Sequence, residues 1–241
     1  MLEMDYLVTD GALRKASVEY LYRSLKKTVS SCGGSAEKGE NDGRCYFFAR
    51  VQKEKATIFS SMLADKMADV IAVNFKYDFF KRHIRVGGLK PLEYELLLSA
   101  LISADIDEDK RYVKSKLCGP PYALDGLFNF RMKPLGEKWR EIVGYIPAYF
   151  AAEQLKQFVS YIVSEKKRGR VYVMGSRVYD VNYNLLNKAF LTGEGEGRII
   201  REVILSGFCE VELSSPIPER DEYYLKEFFG EKIFFGKGYF G

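Results

Sequence analysis

Histidine is almost missing from this chain: His83 is the only one in 241 residues. Imidazole is the usual general base near neutral pH, so any Ser–His or Cys–His nucleophilic system has to pass through this one residue. It sits in FFKRHIRV, away from any G-x-S-x-G elbow, and a cation closing a helix end explains KRHIR more simply. Cysteine is scarce as well. Cys32, Cys45, Cys118 and Cys209 lie far apart without a CxxC pair, which argues against a zinc site and fits reduced thiols in a cytoplasmic protein. No apolar run reaches the ~18 residues of a membrane span, and the N-terminus lacks the charged-then-apolar pattern of a secretory signal. A large excess of one charge is also lacking. The 37 basic and 33 acidic residues leave +4, short of the footprint of a dedicated nucleic-acid binder.

Aromatic residues are abundant instead, with 17 Tyr, 17 Phe and one Trp. Each ring offers a large area to bury, so a real core is expected, with enough left over for an exposed apolar patch. MDYLVT reads as a first strand. Leu13, Ala16, Tyr20, Leu21 and Leu25 then recur at helical spacing. SSCGGSAEKGENDGR reads as an exposed loop, RCYFFARV as a strand, and Phe59 to Phe79 as one face of a second helix. A buried helix starts at Pro91, and a shorter charged helix ends at CGPP. FNFRM is strand-like: alternation places Phe128 and Phe130 on one face, with Asn129 and Arg131 on the other. Arg131 is then expected to pair with an acidic residue of the preceding helices.

The run from Glu137 to Glu165 has one broad apolar stripe and would span roughly 43 Å as a single helix. Pro147 predicts a kink or break near Gly144. VYVMG and RVYDV form a candidate hairpin around Gly175 and Ser176. Helical segments at Tyr183–Leu191 and Arg198–Ser206 come next. The chain closes with the strand CEVELSS, a helix from Glu219 to Phe229 and the strand EKIFFG, a parallel β-α-β. The whole reads as an α+β (mixed α/β) protein with terminal β-α-β type units around an all-helical middle. Its segments are 1–86, a β-α-β-α unit; 87–168, the helical middle; and 169–241, a C-terminal α/β unit.

Chemistry is thin. TGEGEGR (Thr192–Arg198) has the glycines of a phosphate loop but not the GxxxxGK[ST] pattern, and Glu194 and Glu196 stand where an anion would approach. DIDED (Asp105–Asp109) and ERDE (Glu219–Glu222) read as solvated caps at helix starts. The basic runs KRHIR, with Lys81, Arg82 and Arg85, and KKRGR, with Lys166, Lys167, Arg168 and Arg170, each follow an amphipathic helix. They read as helix-end cations or, if they share a face, as a phosphate-contacting surface.

Three segments resemble one family. GLFNFRMKPLGEKWREIVGYIPAYF carries Gly126, Phe128, Phe130, Arg131, Met132, Lys133, Leu135, Ile142, Val143, Tyr149 and Phe150 in the order of a GFxxFRLKxYxEELEEIVDxAVxEYL motif. LKPLEYELLLSALISADID resembles the acidic helix that precedes the motif, and REVILSGFCEVELSSPIPERDEYYLKEFFGEKIFF resembles the closing segment. The pattern is that of YtxC-like sporulation proteins of endospore-forming Firmicutes, of which this chain looks like a divergent member. The resemblance covers roughly residues 70 to 236. It implies a cytoplasmic sporulation factor and supplies no catalytic residue, metal or cofactor.

The expectation is a sporulation-associated, non-enzymatic interaction factor with a protein partner, using Arg131, Lys133 and the two basic runs as candidate contacts. The alternatives are a nucleic-acid-binding protein using the clusters at 81–85 and 166–170, and an enzyme with a pocket between the α/β units and the helical middle.

Overall fold

The computed structural model describes residues 2–193 and 195–236; the side chains of residues 167 and 168 fall outside that description. MDYLVT lies within strand β1 (Glu3–Gly11), whose Tyr6, Val8 and Asp10 alternate into the interior. Helix α1 (Lys15–Ser31) buries Val18, Leu21, Leu25 and Val29 along one stripe. The polar run that follows is not a loop throughout. SAEKGEN is strand β2 (Ser35–Asn41), joined to β3 (Arg44–Gln52) by a two-residue turn. Asp42 (φ 49°) and Gly43 (φ 71°) both take the left-handed backbone that a tight hairpin turn needs. Composition conceals β2 because it is an edge strand with only polar, exposed or half-buried positions.

Helix α2 (Ala56–Asp69), a π-helical turn over Val70–Phe75 and α3 (Lys76–His83) form one helical run. Helix α4 (Pro91–Ala104) starts at proline, with the Lys90 amide donating to Glu93 Oε2 at 2.8 Å. Helix α5 (Ile106–Lys116) and a two-residue strand β4 (Tyr122–Ala123) follow. FNFR of the FNFRM run belongs to helix α6 (Leu124–Arg131), with Met132 as its C-cap residue, and not to a strand. Leu124 and Phe128, four residues apart, turn inward, and the Phe128 ring stacks on Trp139 at 5.2 Å. Phe130 is 82% exposed. Five residues with two apolar positions fit either period, and here the helical one wins.

The long helical run is interrupted where Pro147 requires. Helix α7 (Lys133–Tyr145) stops, and α8 (Ala152–Ser164) starts with the Ala151 amide donating to Gln154 Oε1. Strands β5 (Lys167–Met174) and β6 (Arg177–Tyr179) form the expected hairpin. The expected helix over Tyr183–Leu191 is replaced by the short strand β7 (Leu185–Leu186) and a 3-10 turn over Lys188–Thr192. Helix α9 (Arg198–Ser206), β8 (Phe208–Leu213), α10 (Glu219–Phe229) and β9 (Ile233–Phe235) complete an α+β fold.

Packing gathers the chain into two compact units. One contains the residues up to Lys76 and Ile106–Glu141; the other contains Tyr77–Asp105 and the residues from Ile142 onward. The first unit is built on a sheet of order β2-β3-β1-β4, antiparallel except for the short β1–β4 pair. The second has the order β7-β6-β5-β8-β9, with β5, β8 and β9 parallel and β6 and β7 antiparallel. The acidic runs are not simply solvated caps. Asp109 is buried among Lys76, Lys138 and Trp139 in the first unit. In the second, Asp221 is buried and accepts the Ile200 amide at 2.8 Å, so one helix caps the start of another. Among the described residues, no helix is long and apolar enough to cross a membrane.

Candidate functional site

The strands of the second unit are two-faced. Val171 and Val173 of β5, Cys209, Val211 and Leu213 of β8 and Val178 of β6 are buried, on the side where α9 and α10 supply Ile200, Val203, Leu225 and Phe228. The alternate positions carry Arg170, Tyr172 and Met174 on β5, Phe208, Glu210 and Glu212 on β8, Phe234 on β9, and Arg177 and Tyr179 on β6. These are half-buried or exposed, with Met174 39% and Phe234 37% accessible. Strand alternation therefore sends apolar residues to the helices and leaves an aromatic sheet face toward solvent.

Arg170 organises the middle of this face. Its Nε and Nη2 each donate to Glu210 Oε2 at 3.2 Å, and its Nη1 donates to Glu212 Oε2 at 2.9 Å. The guanidinium also lies flat on Phe234, 3.7 Å from the ring centroid. Desolvation pulls its pKa down, but the Glu212 and Glu210 carboxylates outweigh this and hold it above its ordinary value. Two carboxylates surround one cation, so this cluster of described side chains carries a net negative charge.

The aromatic part is pre-organised. Tyr183 stacks on Tyr172 with centroids 5.2 Å apart and rings 23° from parallel. It does so from a left-handed backbone (φ 57°), which is costly for a bulky residue. Asp180 sustains that conformation. Its Oδ1 accepts the Asn182 and Asn184 amides at 2.9 and 2.8 Å, and its Oδ2 accepts Asn184 Nδ2 at 3.0 Å.

Of the residues singled out from the sequence, Arg170 lies on this face, whereas the side chains of Lys167 and Arg168 lie outside the described residues. Lys166 donates to the Ser103 carbonyl. Lys81 donates to Tyr77 Oη at 2.7 Å and Glu95 Oε1 at 3.2 Å. Arg82 and Arg85 bond the carbonyls of Asp78 and Lys81 at the end of α3, and His83 Nδ1 lies 2.7 Å from the Phe79 carbonyl. Arg131 and Lys133 belong to the first unit. Arg131 does not meet a carboxylate as expected: its Nη1 lies 2.5 Å from Cys118 Sγ. Alternation in FNFRM suggested an outward-facing strand arginine, but the helix carries it to the CGPP turn instead.

The TGEGEGR run has the opposite polarity to a phosphate loop. Arg201 donates to the carbonyls of Thr192, Gly193 and Gly195, so the loop presents oxygens to a cation rather than amides to an anion. The second unit also has an open groove of about 600 Å³ lined by Lys90, Leu92, Glu196, Arg220, Tyr223 and Tyr224. Arg131 does not line it. Among the described residues, no group of three or more His, Cys, Asp or Glu is placed to hold a metal ion.

Sequence reasoning missed Tyr172, Tyr179, Tyr183, Phe208, Phe234, Glu210 and Glu212. Their signal was present in RGRVYVM and FCEVEL, where one parity is Val, Cys and Leu and the other is Arg, Tyr, Phe and Glu. Comparison with protein-family models, curated proteins and solved structures finds no match to this chain.

Proposed function

We propose that the protein works by binding, and that the open sheet face of its second unit receives a basic and apolar segment of a protein partner. The observation that carries this reading is the Arg170–Glu210–Glu212 cluster set among Tyr172, Tyr183, Met174 and Phe234. Tyr, Met and Arg in a partly desolvated patch are the residue types that anchor protein interfaces. An incoming lysine or arginine completes the charge of the cluster. An incoming phosphate meets two carboxylates, which sets this reading above nucleic-acid binding at the same face. The resemblance to YtxC-like proteins gives the setting, a cytoplasmic interaction factor acting in sporulation.

The test uses short synthetic peptides in which a central Arg or Lys is flanked by Leu and Phe, with charge-reversed versions as controls. NMR spectra of the full chain should show shifts at Tyr172 and Phe234 with the basic peptides and none with the acidic ones. Glu212→Lys should reverse that preference. Equal response to both peptides would refute the reading, as would salt-sensitive binding of a single-stranded oligonucleotide that depends on Tyr172. In a spore-forming host, the Glu212→Lys exchange should lower spore yield while leaving the protein folded.

A further inference from the structure

At the open edge of the second unit's sheet, β6 and β7 meet the first turn of α9 around a cavity of about 290 Å³. Its wall includes Ser176, Arg177, Leu186, Arg198, Ile199 and Glu202. Arg177 follows the β5–β6 turn, and Arg198 opens α9. Among the described residues, neither guanidinium has a carboxylate within ion-pairing distance, unlike Arg44, Arg50, Arg170 and Arg220, each of which has one. Unpaired arginines are common on a surface exposed to water. Two that share one small, largely polar cavity with a serine hydroxyl are not explained by folding.

The acidic group in the wall, Glu202, attracts Arg198 electrostatically but forms no ion pair with it. Glu202 is fully enclosed, and both its oxygens are occupied: Oε1 accepts the Lys188 amide at 2.9 Å, and Oε2 accepts the Ala189 amide at 2.6 Å. Its carboxylate fixes the 3-10 turn after β7, and two guanidinium groups outnumber it at the cavity. The start of α9 is not itself the anchor, because Asp221 already accepts the Ile200 amide.

We propose that this cavity binds a phosphoryl group, with Arg177 and Arg198 as the two charged contacts and Ser176 as a neutral donor. Guanidinium forks match phosphate oxygens in pairs, and two of them from separate elements define a position as well as a charge. The volume exceeds that of one phosphate, so the cavity accommodates either the free ion or the phosphorylated end of a small molecule. Arg177 pairs with Met174 across the β5–β6 hairpin, so it borders the aromatic face as well as this cavity; the phosphoryl assignment does not depend on the partner proposed for that face.

Isothermal titration of the full chain with inorganic phosphate, and in parallel with phosphoserine, tests the assignment against sodium chloride at matched ionic strength. Saturable binding is expected, weakened about tenfold or more by Arg177→Ala and by Arg198→Ala. Both arginines are exposed, so the variants should keep the wild-type circular dichroism spectrum. Tighter binding of phosphoserine assigns the cavity to phosphate monoesters, and equal binding assigns it to the free ion. Heats indistinguishable from chloride, or phosphate binding undiminished in both variants, would overturn the proposal.

Discussion

Lys76 Nζ lies 2.8 Å from Asp109 Oδ2, and neither side chain reaches solvent. Asp109 also accepts Trp139 Nε1 at 3.0 Å and Lys138 Nζ at 2.9 Å, so one buried carboxylate joins α3, α5 and α7. Burying a charge is costly unless it is paired, and removing one member strands the other. Asp109→Ala should therefore destabilise the protein by about 3–5 kcal/mol, whereas Lys76→Met leaves Asp109 with Lys138 and Trp139 and should cost less. Urea unfolding midpoints of the two variants decide it. A Lys76→Met variant that loses more stability than Asp109→Ala would contradict the central role given to the carboxylate.

Asp109 also marks the limit of what the sequence reveals. Helix boundaries were legible wherever an apolar stripe met a proline or a glycine, as at Pro91, Pro147 and Glu219–Phe229. Which acid of DIDED turns inward was not, because its partners Lys76 and Trp139 lie thirty or more positions away in opposite directions. Strand β2 escaped because an edge strand needs no apolar residue, only a partner and a turn. The aromatic face was half legible: alternation in β5 and β8 is local, but stacking of Tyr183 on Tyr172 depends on Asp180 and a left-handed backbone. Arg170 was chosen from the sequence for its charge, yet its surroundings, two glutamates and Phe234, come from strands forty or more residues downstream.

Asp10 gives the fold a pH dependence. Its Oδ1 accepts the Gly11 amide at 2.9 Å, while Oδ2 is buried without a hydrogen-bond partner. Burial pushes the carboxyl up to about 6, against the downward pull of the Gly11 amide, Arg14 and Ser17. The folded state holds this proton more tightly than the unfolded chain, whose Asp titrates near 3.9. Its contribution is therefore fully present below about pH 4 and is lost as pH rises through about 6. Asp10→Asn should remove that decline, leaving the variant roughly 2–3 kcal/mol less sensitive across this window. Thermal unfolding at pH 4, 5, 6 and 7 measures it, and parallel curves for variant and wild type would disprove the assignment.

Cys118 is exposed and touches Arg131 Nη1, whereas Cys32, Cys45 and Cys209 are buried. Alkylation needs access of the reagent to sulfur, which burial denies. One thiol should therefore react rapidly with iodoacetamide in the native protein, and the other three only after unfolding. Arg131→Ala should leave Cys118 the one fast-reacting thiol. Because Arg131 is exposed and bonded to a thiol rather than a buried carboxylate, the same change should shift stability by no more than about 0.5 kcal/mol. Mass-spectrometric mapping of the alkylated cysteine, with melting curves, separates the two effects. A large loss of stability would restore Arg131 as a structural joint.

Gly169 controls how the aromatic face is assembled. Strand β5 pairs with β8 through a register shift between Lys167 and Arg170, a bulge that brings Gly169 under the ring of Phe208. A methyl group at Gly169 would sit 2.7 Å from Phe208 Cδ1, and the backbone there (φ 153°) already disfavours a side chain. Gly169→Ala should therefore cost about 1–3 kcal/mol by forcing the ring aside. Phe208→Leu in the same chain should recover part of that loss, because a smaller side chain leaves room for the methyl group. The recovery is read as a coupling energy in a double-mutant cycle. Strict additivity would show that Phe208 does not lie over the glycine. The bulge also sets the position from which Arg170 reaches both Glu210 and Glu212, so Gly169→Ala should weaken the response of Tyr172 and Phe234 to basic peptides even at temperatures where the chain stays folded.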